Sequence, residues 1–224
     1  ELWVYIPSGI VAQYKLDETA GPTLVDSLGG LDGTWIGDPA AFGSTDIPTG
    51  ATGTSVEFNG TDLVWGSAPG SDLFQSGQFT VSFWSKAPGG DWRTPVAHLP
   101  STGEPGGGWI LEYGTDNTMH MAVFSSGNGQ SWINGPAPVD GEWHHFVGQF
   151  DGQNMILFMD TIPQAIAGVG AGAYGPQLAL DRTMTIGANF FWGEPMGGNV
   201  DDVQYYDAGI GYSDILELYA NPGS

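Results

Sequence analysis

The stretch GEWHHFVGQFDGQNMILFMD, residues 141–160, decides the fold. It holds two adjacent histidines, a tryptophan and acids at both ends, so it reads either as a metal or catalytic centre or as two strands joined by a turn. Successive side chains of a strand point to opposite faces. His145, Val147 and Gln149 then face one way, and His144, Phe146, Gly148 and Phe150 the other. Histidines on opposite faces cannot grip one ion together. Asp151-Gly152 is a turn signal, and MILFMD is the return strand of a hairpin. The default for these histidines is a packed or hydrogen-bonded side chain beside Trp143.

The rest of the chain continues this pattern. Short β-branched and aromatic runs alternate with Gly, Pro, Asn and Asp. GIVAQYKL, SVEFNG, FTVSFWSKA, TPVAHLP, GWILEYG, TMHMAVFSS, TMTIGA and VDDVQYYD join HHFVGQFD and MILFMD as strands. APGSD, PSTGEPGGG, SSGNGQS and GPAPVDGE separate them. Turn signals at this density indicate an antiparallel sandwich or barrel. Only the tail, SDILELYANPG, carries a helical stripe, with Ser213 where an N-cap would stand and Asn221-Pro222-Gly223 as the stop. No linker or internal repeat is evident, so residues 9–224 read as one domain. Residues 1–8, which contain ELWVYIP, read as an extra N-terminal strand or a linker.

Composition narrows the function. Across 224 residues, 25 acids face 4 bases, a formal charge of −21. Such a surface repels nucleic acid and anionic membrane and favours hard cations such as Ca²⁺. With no cysteine, disulfides and thiolate chemistry are excluded. No apolar run reaches the ~18 residues of a membrane helix. The chain begins at Glu1, the start expected of a chain whose leader has been removed or of a segment of a longer protein.

Several pieces, taken in order, resemble a known family. WHHFV with FDG and the later Asp160 is similar to the central signature of laminin-G-like, concanavalin A-like jelly-roll domains. IVAQYKLDETAG, VDSLGGLDGT, SVEFNGTD, FTVSFWSKA and the closing TIGA and GGNVDDVQYYD resemble its other segments. Asn59 departs from the usual Asp, and Tyr14 from the common Trp. The resemblance implies an all-β jelly roll of two antiparallel sheets with a short C-terminal helical turn. It also implies a structural Ca²⁺ held by Asp26 and Asp201, with the Gly30 carbonyl as a helper. Scarce bases favour the same reading, because a buried aspartate needs a partner.

Sugar-binding faces combine aromatic platforms with polar groups that bond hydroxyls. Trp92, Trp109, Trp132 and Trp192 sit among Gly, Asn or Asp in loop-like stretches and are the candidates for such a platform. Trp84, within a strand, and Trp143, at the start of one, read as core. Catalysis finds no motif. Asp17-Glu18 and Asp201-Asp202 are adjacent and opposed across a strand, while Asp214 and Glu217 lie on the helical turn. No Glu-x-Asp pair, nucleophile elbow or phosphate loop occurs. An enzyme would need two carboxylates facing each other in the groove, which these spacings do not foreshadow.

The expectation is therefore an extracellular, non-catalytic, lectin-like domain that binds a glycan or glycoprotein and is stabilised by calcium. The alternative is a structural or adhesive domain of a surface layer, stalk or filament, docking neighbouring protein subunits through a sheet edge or apolar patch. ELWVYIP could serve that role by adding a strand to a neighbour.

Overall fold

The computed structural model describes residues 9–37, 41–69, 71–74, 77–99, 107–124, 129–135, 137–138, 141–169 and 183–224. The N-terminal segment 1–8 lies outside them, and so does Arg182.

The hairpin forms as the alternation requires. Strand β12 (His144–Phe150) pairs antiparallel with β13 (Asn154–Met159). The turn is closed by Asp151, whose carboxylate accepts the Gln153 and Asn154 amides at 2.8 and 2.6 Å. Around it, the first sheet adds β1 (Ile10–Tyr14), β4 (Ala41–Ser44), β5 (Ser55–Asn59), β7 (Phe79–Lys86), β14 (Ile162–Gly168) and β18 (Gly197–Tyr206). Its order is β14-β13-β12-β7-β18-β5-β4, with β1 beside the second half of β18. The second sheet runs β11 (Gln130–Asn134), β10 (Met119–Phe124), β9 (Gly108–Tyr113), β8 (Arg93–Leu99), β15 (Thr183–Ile186), β6 (Trp65–Ala68), β3 (Gly33–Ile36), β2 (Thr23–Leu24). All pairings are antiparallel, which makes the expected all-β two-sheet sandwich.

The main core lies between the sheets. Phe79, Val81, Phe83, Phe146 and Phe150 from the first meet Val96, Leu111, Met121, Val123 and Met184 from the second. Full burial of such side chains contributes about 1.5–3 kcal/mol each. Gly148 lets the sheets approach, since a Cβ there would stand 2.8 Å from Leu111 Cδ2.

Each sheet also has an apolar outer face. On the first sheet, helix α1 (Tyr212–Ala220) covers Val147, Phe158 and Tyr206 with Ile215 and Leu218. The helix begins before Ser213, which is therefore not its N-cap. Gly211 caps it, because the Asp214 carboxylate reaches back to the Gly211 amide at 2.9 Å. Trp84 belongs to this outer layer, stacked on Tyr219 at 5.4 Å. Trp143 is not core: it is half-buried at the strand entry, where its indole N–H donates to Asp46 at 2.8 Å.

The histidines divide as expected. His145 lies under the helix, bonded to Ser82 at 2.8 Å, and burial pushes its pKa down to about 3. His144 bonds Asp160 at 2.7 Å. Burial raises the Asp160 pKa, but bonds from His144 and the His145 amide outweigh it and hold the carboxyl low. Asp160 thus clamps the hairpin.

Candidate functional site

The outer face of the second sheet is built differently. Ala97, Leu99, Ile110, Ala122 and Phe124 form a small apolar cluster there. No helix covers it among the described residues. Instead a short hairpin, β16 (Ala188–Asn189) and β17 (Glu194–Pro195), carries Phe190, Phe191 and Trp192 over it. Asn189, fully buried, shapes that loop: its side-chain oxygen accepts the Phe191 amide at 2.9 Å, and its NH₂ donates to Glu194 at 3.1 Å. Gly193 takes φ 70°, a turn that other residues adopt only at a cost.

Beside this loop is a cavity of about 230 Å³, lined by Trp92, Glu112, Gln130, Trp132, Trp192 and Glu194. Three of the four tryptophans singled out by sequence converge here. Aromatic contacts run from Trp92 to His120 (5.5 Å), Trp132 (6.2 Å), Phe124 (5.7 Å) and Trp192 (5.8 Å) in a continuous arc. Trp92 and Trp192 are 38% and 41% exposed, open enough to meet a ligand. The Trp92 loop is fastened by a bond from the Gly90 amide to the Asn117 side chain. Farther along the same face, Trp65 and Phe190 meet at 4.9 Å beside a second hollow of about 220 Å³. Larger depressions, of about 350 and 260 Å³, occur elsewhere, but no tryptophan among the described residues lines either.

The fourth tryptophan corrects the expectation. Trp109 is fully buried in β9, its ring 5.5 Å from Phe79 and 5.9 Å from Tyr205, its N–H donating to Phe74 O at 3.0 Å. The Gly-rich run before it gives it the look of a loop residue. It is the first inward-facing side chain of a strand and cannot line the groove.

Sequence reasoning missed the floor of the cavity. Glu112 and Glu194 are hydrogen-bonded to each other, and Glu112 is only 2% exposed. Burial, and then the neighbouring Glu194, raise the Glu112 pKa to about 9, so it is protonated and donates to Glu194. Burial raises Glu194 as well. His120, cross-strand from Glu112, has its pKa lowered by burial. Two facing carboxyl groups are thus present after all. Their contact is closer than the ~5 Å that a retaining glycosidase leaves between its acids, so no sugar ring fits between them as they stand. One signal was available: Glu112 is a lone acid in the otherwise apolar strand GWILEY.

Two of the residues expected to hold calcium, Asp26 and Gly30, are bonded to each other. Asp26 accepts four backbone amides, from Gln13 and Leu28 on Oδ1 and from Gly30 and Leu31 on Oδ2, at 3.0–3.2 Å. Those bonds use the roughly four acceptor positions of a carboxylate. Gly30 contributes its N–H to Asp26, and Asp26 acts as a loop closure. Asp201 is 4% exposed, and burial, with Asp202 and Asp17 nearby, raises its pKa to about 8. Among the described residues no group of three or more His, Asp or Glu could hold a metal. Asp202 serves the chain terminus instead. It binds Gln13, Gln204 and the Gly223 amide, tying the C-terminal tail to β1 and β18.

Comparison with known proteins agrees with this architecture. Residues 51–215 match the family described as the concanavalin A-like lectin/glucanases superfamily, and the chain belongs to it. No curated protein matches. Among solved structures, the fold resembles domain 4 of AbnA, a GH43 extracellular arabinanase from Geobacillus stearothermophilus, in complex with arabinotriose. The identity is 21%, the TM-score 0.72, and the match covers 96% of this chain and all of that one. The CBM40 of a Ruminococcus gnavus sialidase, bound to α2,3 sialyllactose, matches at 14% identity and TM-score 0.61, covering 74% and 96% of the two chains. Trypanosoma rangeli sialidase matches at 15% identity and TM-score 0.68 over 95% of this chain and 33% of that one. At these identities the likeness shows the fold alone.

Proposed function

We propose that this chain is a carbohydrate-binding domain, lectin-like and non-catalytic, acting outside the cell on a glycan or glycoprotein. The convergence of Trp92, Trp132 and Trp192 on one cavity carries this reading. Indole faces stack on sugar C–H surfaces, while Gln130 and the carboxyl groups can bond hydroxyls. The second hollow at Trp65 and Phe190 lies on the same face and gives room for further sugar units. The comparison domains that carry arabinotriose and sialyllactose support the class of ligand. The close contact of Glu112 with Glu194 supports binding over hydrolysis. No helix among the described residues is long and apolar enough to cross a membrane.

Calcium remains part of the proposal in a narrower form. Burial, with Asp202 and Asp17 near it, raises the Asp201 pKa, and a bound cation would replace its proton.

A second reading, docking of neighbouring subunits, is favoured by one observation. Edge strand β14 exposes Ile162 (59%) and Ile166 (67%). A glycan-array screen of the purified chain, paired with sedimentation analysis, separates the two readings. Binding to a defined glycan that Trp132→Ala abolishes supports the lectin. No glycan bound, with self-association lost on Ile166→Lys, supports the structural domain.

A further inference from the structure

Among the described residues, the Trp-lined cavity is lined by two acids and by no base. Glu112 is buried, and its Oε2 accepts no hydrogen bond. A buried acceptor left open is costly, and here it belongs to a residue that lines a cavity next to a second carboxyl group. Asp91, just before Trp92, adds a further negative influence on Glu194. The bases among the described residues lie elsewhere. Lys86 pairs with Asp46 at 2.7 Å, Arg93 lies against Gly60 and Gly197, and Lys15 acts on Asp202. None of them offsets the charge at Glu112 and Glu194. Burial disfavours a charge on the neighbouring His120.

Tryptophans around an acidic floor form a site suited to a cation, because the indole face attracts positive charge and the carboxylates neutralise it. We propose that this cavity takes a protonated amino group, and that its ligand is a glycan containing amino sugars whose nitrogen is not acetylated. This inference rests on the carbohydrate reading above and specifies the substrate class of the same site.

Protons balance in the binding step. Without ligand, Glu112 and Glu194 share one proton, since two carboxyl groups in contact do not both ionise. An ammonium group entering beside them supplies its own N–H donors to both. The shared proton then leaves for solvent, and Glu112 Oε2 gains its missing partner. A neutral hydroxyl could bond one oxygen but would leave the second charge unmatched. An N-acetyl group removes the charge and two of the donors. The overall charge of −21 also draws cationic ligands toward the protein.

The test is isothermal titration of the intact chain at about pH 6, where a sugar amine is charged and the pair holds its proton. The probes are a glucosamine oligosaccharide, its N-acetylated counterpart, neutral arabino- and gluco-oligosaccharides, and tetramethylammonium. Each is measured in two buffers of different ionisation enthalpy. The amine-bearing oligosaccharide should bind at least about tenfold more tightly than the acetylated one, the worth of one good charged contact. It should also release close to one proton. Glu112→Gln, a near-isosteric change, should erase the preference and the proton release. The release is read on the unmodified protein, so it stands even if that variant fails to fold.

Neutral oligosaccharides that bind through Trp132 with no preference for the amine would overturn this inference and leave the carbohydrate reading intact. No binding to any oligosaccharide would overturn both. Tetramethylammonium binding as tightly as the amino sugar would overturn the sugar as ligand.

Discussion

Glu112, on the central strand β9, and Glu194, on the small hairpin over the sheet, meet in a hydrogen bond at the floor of the tryptophan cavity. A hydrogen-bonded acid pair of this kind holds a proton that the unfolded chain gives up, so it affects stability as well as recognition.

Stability should fall as pH rises. Glu112 goes from 4.5 to about 9 on folding, and Asp201 from 3.8 to about 8. The folded state binds protons that the unfolded state has lost, so this contribution is full below about pH 4 and disappears as pH passes 8 to 9. Asp160 works the other way, since its carboxyl is held low, and weakens the fold only in stronger acid. Thermal melts from pH 5 to pH 9 should show a falling Tm, and Glu112→Gln should flatten the slope. A Tm that rises across this range would contradict the pair.

Trp109→Ala and Trp132→Ala should behave as opposites. Removing the buried Trp109 should cost about 3–5 kcal/mol of stability, with binding lost only through unfolding. Removing the groove residue Trp132 should change stability by less than about 1 kcal/mol and weaken glycan binding by tenfold or more, since stacking depends on its face. Chemical denaturation and titration on both variants check this.

Asp202→Ala should free the C-terminal tail. The substitution strands the Gln13 and Gln204 side chains and the Gly223 amide, at a cost of roughly 2–3 kcal/mol. Hydrogen exchange at Gly223 should accelerate more than in the β12–β13 hairpin.

Calcium should raise the melting temperature at pH 8, with EDTA reversing the gain, and Asp201→Asn should abolish the response. Asp26→Asn should lower the melt without touching it, because Asp26 closes its own loop. An unchanged melt in calcium removes the ion from the proposal.

The hairpin was legible because a strand period of two forces His144 and His145 apart and puts Phe146, Gly148 and Phe150 on one face. Strands with strong alternation were legible for the same reason. Those without it, such as β14 (IPQAIAG) and β11 (QSWIN), are not among the strands the sequence shows; they lie at the two sheet edges, where burial imposes little pattern. Trp109 was misplaced because a Gly-rich approach resembles a loop, whereas strand pairing with His98 turns its ring inward. Glu112 and Glu194 were invisible as a pair because spacing along the chain shows only acids that are close in sequence. Their meeting depends on where β17 lands, which the sheet order determines.

The most direct test follows the nine tryptophan indole N–H signals by NMR while a bound glycan is titrated in. The signals of Trp92, Trp132 and Trp192 should shift together and saturably, while those of Trp109 and Trp84 stay in place. Glycan binding that leaves all three groove indoles unmoved would contradict the site.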